Sequence, residues 1–349
     1  MTSGAIGREE ENRAANVAAM TITSAPPGVR RGRLAARTVL LWLLLLPGLA
    51  WAVLRLFGWE RGFLVQLFAF TPYAAALVWV PAVLALATRR WLAGAFAVLG
   101  ATVLAACVLP RALPDQDRGP STGVRLRVMT INMFIGAADP AAIVTLIHDH
   151  DVGILAVQEF SPTARAGLSA AGLDSLLPYA ALADEVGTTG SGLYSRYPIT
   201  TSGSERSGGG NMQVYATIRP PGAGTLQVES AHPLAPYAVS ALGLWRGDLD
   251  AEPHAEPNQP PRILLGDFNS TLDHAPVRDL ISHGYRDAAD ATGEGLAGTW
   301  GPYYGDPIPP VTLDHVLVDT RIGVQEVQVR GVTGSDHRSV IASLTVPAA

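Results

Sequence analysis

The stretch RILLGDFNST, residues 262–271, closes an apolar run with a carboxylate, Asp267, and a carboxamide, Asn269. Packing alone does not ask for this, because an unpaired carboxylate taken out of water costs several kcal/mol. The pattern recurs along the chain. VRLRVMTIN ends on Asn132, GILAVQ runs into Glu159, and GTLQVESA runs into His232. LDHVLVD opens with Asp314 and His315, and the last apolar run follows Ser335, Asp336 and His337. Taken singly, each has a plainer reading. Asn132 suits a turn, Glu159 a helix start before Ser161-Pro162, Asp267 an Asx turn, His232 a surface position, and Ser335–His337 a loop or cap. Taken together, they are explained if they converge on a metal ion and a phosphate.

The elements that must position them are short. Residues 124–349 read as β-runs alternating with helical stretches. Strands are expected at 124–133, 153–160, 191–199, 212–220, 224–233, 262–267, 313–319, 324–330 and 338–346. Helices are expected at 139–149, with Asp139-Pro140 as start signal, and at 236–248. No repeat is visible, and about 225 residues of mixed α and β suffice for a sizeable core. Two Gly-rich stretches, 199–211 and 291–310, read as loops that could carry specificity, the second with Trp300, Tyr303 and Tyr304.

The first third of the chain is different. Residues 1–37 read as a polar, disordered cytoplasmic tail. Three apolar stretches follow, at Val39–Phe57, Phe63–Thr88 and Trp91–Pro110, each near the roughly 20 residues needed to cross a bilayer. The charge they contain is Arg55, near enough to an end to snorkel. Arginines in the tail and at Arg89-Arg90 predict a cytoplasmic tail and second turn, which puts everything after the third span outside the cell. Residues 38–111 are thus expected as a three-helix membrane region and 112–123 as a short polar linker. Residues 124–349 are expected as an extracellular domain.

Composition narrows the partners. All 25 basic residues are arginine, and the one cysteine, Cys107, excludes an intramolecular disulfide. Residues 1–120 hold 12 Arg against 6 acidic residues (+6), and residues 121–349 hold 13 Arg against 24 (−11), which sums to the net −5 of the chain. So acidic an outer domain is a poor match for nucleic acid.

The ordered set Asn, Glu, His, Gly-Asp-x-Asn, Asp-His, Ser-Asp-His resembles the endonuclease/exonuclease/phosphatase superfamily, the fold of DNase I. LLGDFNST and GSDHRSV carry the resemblance most specifically, and it covers about residues 124–349. It implies a two-sheet α/β sandwich with the active site at one edge, and phosphoester hydrolysis dependent on Mg²⁺ or Mn²⁺. By the same resemblance Glu159, Asn132 and Asp336 belong to the metal side. Asp267 orients or deprotonates the attacking water, and Asn269 binds the scissile phosphate. His337 binds the phosphoryl oxygen, and His232 is the second catalytic histidine, with Asp314 in support. At a spacing of two along an extended strand end, Asp267 and Asn269 can face one side. ESAHP around His232 departs from the family's usual Thr-His-Leu, and a counterpart of the DNA-repair branch's tyrosine is missing. Arg196 in YSRYPI matches a family motif but reads as structural.

Three amino-terminal spans followed by such a domain also look like the actinobacterial teicoplanin-resistance membrane proteins of the VanJ type. That likeness implies a polyprenyl phosphate or pyrophosphate substrate in cell-envelope metabolism. An extracellular nuclease, a phospholipase-C-like phosphodiesterase and an inactive membrane-anchored binding domain are the alternatives. Oligomeric state is open.

Overall fold

The apolar runs form two six-stranded sheets. The computed structural model describes residues 27–302, 305 and 307–349, so most of the expected tail, together with Tyr303 and Tyr304, lies outside the described residues. One sheet has the order β11-β12-β1-β2-β4-β3 and the other β5-β6-β7-β8-β10-β9. The strands are β1 Val124–Asn132, β2 Ile154–Gln158, β3 Tyr179–Ala183, β4 Ser191–Ser195, β5 Ile199–Arg206 and β6 Met212–Ile218. They continue with β7 Leu226–Ala231, β8 Arg262–Asp267, β9 Tyr285–Asp287, β10 Asp314–Asp319, β11 Gly323–Gly331 and β12 Arg338–Val346.

Side chains alternate across each strand and so fill three layers. Leu126, Val128 and Ile154 face Val228, Ile263 and Val316 between the sheets. Met129, Ile131, Leu155 and Val157 face the other way, under the helices Pro140–Asp149 and Pro162–Ala170. On the far sheet, Leu264 and Leu317 pack beneath Trp245, Leu249, Val277 and Leu280 of the helices Leu242–Ala251 and Ala275–Ser282. The central strands are therefore buried on both faces, which is why they read as nearly continuous apolar runs. Each fully buried Leu, Ile or Val in these layers stabilises the fold by about 1.5–3 kcal/mol.

The strand pairing fixes where the polar ends meet. β1 and β2 are parallel, with Asn132 opposite Gln158. β7 and β8 are parallel, with Ala231 opposite Gly266. β10 runs antiparallel to β8, so Asp314 lies opposite Asp267. The ends of β1, β2, β7 and β8 and the start of β10 thus share one edge of the sandwich. Beneath that edge Gln158 bridges the sheets, accepting from Thr130 Oγ1 at 3.1 Å and donating to Ser230 Oγ at 2.9 Å.

The amino-terminal region corrects two expectations. From Pro27 the chain is already helical and stays so to Phe57, so residues 27–37 form helix where a disordered tail was expected. Among the described residues two helices, Ala36–Phe57 and Trp91–Ala112, are long and apolar enough to cross a membrane, and the expected middle span is not a single helix. It is broken into Leu64–Phe68, Thr71–Leu77 and Trp79–Ala87. The cause lies in its contacts. The turn before Thr71 closes with the Thr71 hydroxyl on the Phe68 carbonyl, and Val65 is drawn into the core beside Trp245 and Phe268. Leu43, Val80, Val83, Leu92 and Leu99 are all more than half exposed, a surface suited to hydrocarbon rather than to water.

Candidate active site

Asn132 sits at the centre of the edge. Its amide nitrogen donates to Glu159 Oε1 at 3.2 Å and to Asp267 Oδ2 at 3.0 Å, while its oxygen accepts the Phe134 N–H. Asn132 therefore acts by holding two carboxylates side by side. Glu159 follows β2 with φ of 52°, in the left-handed region that β-carbon crowding disfavours. Backbone bonds from Phe160 to Gly190 and from Glu185 to Phe160 hold that turn, and the Ile135 N–H donates to Glu159 Oε2 at 2.7 Å. Strain of this kind collects where a side chain must be aimed. Asn269 is another such residue at the site, with φ of 48°. Its N–H closes an Asx turn on Asp267 Oδ1, so the plain reading of Asp267 is also true: one carboxylate oxygen shapes the turn and the other faces the site.

Two histidines flank Asp267. His337 Nε2 is 3.7 Å from Asp267 Oδ2, and its Nδ1 bonds Asp314 Oδ2 at 2.8 Å. His232 Nε2 is 4.0 Å from the same oxygen, with its backbone held by Gln213 and Asn211. The two rings differ in charge. Burial opposes a proton on His337, but Asp314 and Asp267 outweigh it and push the pKa up to about 10, so the ring is an imidazolium. Burial holds His232 below the ordinary imidazole range, so it is neutral. Burial likewise raises Glu159 and Asp267, each further raised by a neighbouring carboxylate.

All eight residues expected from the sequence come together. Glu159, His232, Asp267, Asn269, Asp336 and His337 line one cavity of about 600 Å³, with Asn132 and Asp314 bonded directly to members of that set. Trp300, expected on a specificity loop, donates its Nε1–H to Asp336 Oδ2 at 3.0 Å. Arg196 lies elsewhere, bonding Asp151 and the Val152 carbonyl, in keeping with a structural role. His315 turns away to Asp287 and braces the Asn269 loop through the Ser270 carbonyl. Ser335 donates its hydroxyl to the Asn132 carbonyl, whereas Asn211 and Gln213, which hold the backbone of His232, were not singled out in the sequence. Asn211 stands at the start of β6 and follows the same strand-end logic.

The loop leaving Asn269 is tied to the apolar helices. Asp273 is fully buried and accepts from Arg55 Nε at 2.7 Å and from Arg111 Nη1 and Nη2 at 2.8 and 2.7 Å. His274 Nε2 bonds the Val65 carbonyl at 2.8 Å, and Glu60 accepts the Ala275 N–H. Arg55, expected to reach toward water, is instead buried in this cluster.

Facing sheets, helical outer layers and a carboxylate-histidine site where the strand ends meet define a phosphoesterase of the DNase I-like sandwich type. The description "Endonuclease/Exonuclease/phosphatase family" matches residues 129–337, and the chain belongs to that family. Solved structures agree on the fold. A humanized D. rerio TDP2 is 14% identical with a TM-score of 0.53, over 64% of this chain and 99% of its own. D. rerio TDP2 complexed with single strand DNA product is 15% identical with a TM-score of 0.51, over 64% and 99%. A functionally unknown conserved protein from Enterococcus faecalis V583 is 17% identical with a TM-score of 0.51, over 63% and 100%. No curated protein matches the chain.

The residues present fit the divalent metal that such enzymes use. Asp314 Oδ1 and Asp336 Oδ1 are buried without a hydrogen-bond partner, and Glu159 and Asp267 are held above the carboxylate range. This is a pocket of hard oxygens short of positive charge. Asp267, Asp314 and His337 also bring ligand atoms within 4.8 Å of one another. Because His337 Nδ1 and Asp314 already bond each other, that trio reads better as a hydrogen-bonded chain. Glu159 and Asp336 are then the carboxylates left to meet an ion.

Proposed function

We propose that this enzyme hydrolyses a lipid-linked phosphate or pyrophosphate at the outer face of a membrane, with Mg²⁺ or Mn²⁺ held by Glu159 and Asp336. The observation that carries the reading is the Asp273 cluster. It fastens the loop bearing Asn269 to the ends of both long apolar helices, so the site lies where those helices leave the hydrocarbon. Substrates confined to that surface meet it at high effective concentration. The far end supports the orientation. Arg90 donates to Thr38 there, so both long helices start beside Arg37, Arg89 and Arg90 and finish at the catalytic domain. Arginines of that kind favour the cytoplasm, which leaves the catalytic domain outside. The resemblance of the three apolar stretches and this domain to the VanJ-type resistance proteins supports a role in cell-envelope metabolism.

Each residue has a task. An ion held by Glu159 and Asp336 would supply charge neutralisation at the phosphate. Asp267, adjoining neutral His232, takes a proton from water as the water oxygen attacks phosphorus. The His337 imidazolium, locked by Asp314, donates from Nε2 to a phosphoryl oxygen as negative charge builds there. The Asn269 amide, now on the Pro233 carbonyl at 3.1 Å, is within reach of the same group. The bond from phosphorus to the leaving oxygen breaks opposite the attacking water.

The test compares phosphate release from a polyprenyl pyrophosphate with breakdown of duplex DNA and of a choline phospholipid, using detergent-purified protein. Release from the polyprenyl lipid, lost with EDTA and restored by Mg²⁺, is expected. DNA cleavage in its place would mean that a domain of charge −11 still binds nucleic acid, and the lipid reading would fall.

A further inference from the structure

The catalytic cavity has two unlike sides. Its polar side is the catalytic set. Its other side is apolar, and part of it comes from the broken middle segment of the amino-terminal region, through Val65, Ala69 and Phe70. Ile135, Tyr237 and Ile308 add to that side from three separate loops of the catalytic domain. A phosphoryl group and an ion need little of 600 Å³, a volume typical of a pocket that encloses a drug-sized ligand.

The two parts of the wall are bolted together. Gln66 Nε2 donates to the Pro236 carbonyl at 2.6 Å, beside Tyr237. The Tyr73 hydroxyl donates to the Pro310 carbonyl at 2.6 Å, two residues beyond Ile308. With the His274 bond to the Val65 carbonyl, the segment between the long apolar helices is tied to the stretches around Pro236, Pro310 and His274. Tyr237, Ile135 and Ile308 are 74%, 51% and 39% exposed, an apolar lip on the open side of the cavity. Water does not favour such a lip, and a hydrocarbon chain would cover it.

We infer that this wall is a subsite for the hydrocarbon chain next to the phosphate of a lipid substrate, and that the anchor segment Val65–Phe70 thereby sets specificity. The inference rests on the lipid-phosphate reading above and deepens it. The continuity of the wall with the apolar helices selects the occupant. A chain entering from the hydrocarbon passes along Phe70 and Ala69 before its phosphate reaches His337 and Asn269. Ala69 lines the cavity, so a larger side chain there takes up part of its space.

The experiment uses full-length protein in detergent with Mg²⁺ and a series of alkyl pyrophosphates from butyl to decyl. With a chain subsite, kcat/KM rises with length by roughly three- to fourfold for each methylene fully buried, the equivalent of its transfer from water. Ala69→Trp should cut the ratio of decyl to butyl kcat/KM at least tenfold. Tyr237→Ala and Ile308→Ser, at exposed positions that folding does not depend on, should each lower the same ratio. A ratio unchanged in all three variants overturns the subsite and leaves the phosphoesterase standing. So does a wild-type rate independent of chain length. Faster hydrolysis of a p-nitrophenyl nucleotide than of any alkyl compound would assign the wall to a base and overturn the inference too. Absence of hydrolysis across the alkyl series, with DNA cleaved, would overturn the lipid reading itself.

Discussion

Replacing Asp273 by alanine should be among the most destabilising single changes in the protein. The carboxylate accepts three charge-assisted hydrogen bonds from two guanidinium groups, and the side chains of Asp273, Arg55 and Arg111 are 0%, 8% and 7% exposed. Removing it leaves two buried cations beside Arg278, whose own pKa burial and Arg55 already push down to about 10. Breaking a buried pair by deleting one partner costs about 3–5 kcal/mol. At about 2–4 °C per kcal/mol for a domain of this size, the thermal midpoint should fall by about 6–20 °C. Asp273→Asn keeps an acceptor but not the charge and should fall between alanine and wild type. Salt should matter little, because the pairs are shielded from solvent. Acid should matter more. Burial opposes the Asp273 charge, but Arg111 and Arg55 outweigh it and hold its pKa below the ordinary value. Its stabilisation is therefore complete above about pH 4 and is lost as pH falls below that through the lowered pKa. Differential scanning fluorimetry in detergent, at one protein concentration, reads these shifts. A midpoint within about 2 °C of wild type in Asp273→Ala would refute the reasoning, since it would mean that the helices and the catalytic domain are not joined here.

Three further outcomes follow from the site. Asp267→Asn should lower kcat at least a hundredfold, on the order expected for loss of a general base, with unchanged circular dichroism. Asp314→Asn removes the anion that holds His337 protonated. The alkaline limb of kcat against pH, set near 10 by His337, should move down toward the ordinary imidazole range, and an unmoved limb would take His337 out of the mechanism. Glu252, raised by burial and by Glu229, and Glu229, raised by burial to about 7, keep protons that the unfolded chain releases near 4.5. Stability should thus decline as pH rises from about 4.5 to 7, and Glu252→Gln should melt above wild type at pH 8, with the gap closing toward pH 4.5.

The sequence makes the catalytic set legible because buried strands are short and apolar, so a polar residue at their ends stands out. That logic found Asn132, Glu159, His232 and Asp267. It passed over Asn211 and Gln213 because both lie in or beside a Gly-rich run that reads as loop. The same run hid β5, whose residues Thr200–Ser202 and Ser204–Arg206 are exposed and which therefore shows no apolar alternation. The anchor wall was hidden for a different reason. Composition makes residues 63–88 a plausible span, and nothing local announces that Val65 will pack against Phe268 or that His274 will take its carbonyl. Those contacts join residues some 200 positions apart, beyond the reach of periodicity.

They also change what the anchor does. A free linker spanning residues 112–123 would let a tethered domain wander on the order of 20 Å, by the scaling of flexible chains. Here the linker runs along the domain, with the Asp115 N–H on the Ala291 carbonyl and the Val324 N–H on the Arg118 carbonyl. Asp273 and His274 then fix the Asn269 loop to the amino-terminal helical region, four and five residues from Asn269. On the proposed lipid-phosphate reading, the substrate's phosphate lies at a set depth in a bilayer, and a site clamped at a set height would meet it without a search. Cutting the chain at residue 123 would remove one wall of the cavity, uncover the packing surface of Val65 and strip Asp273 of Arg55 and Arg111. The catalytic fold and the apolar helices are on this argument one machine, and the loop that carries Asn269 is where they join.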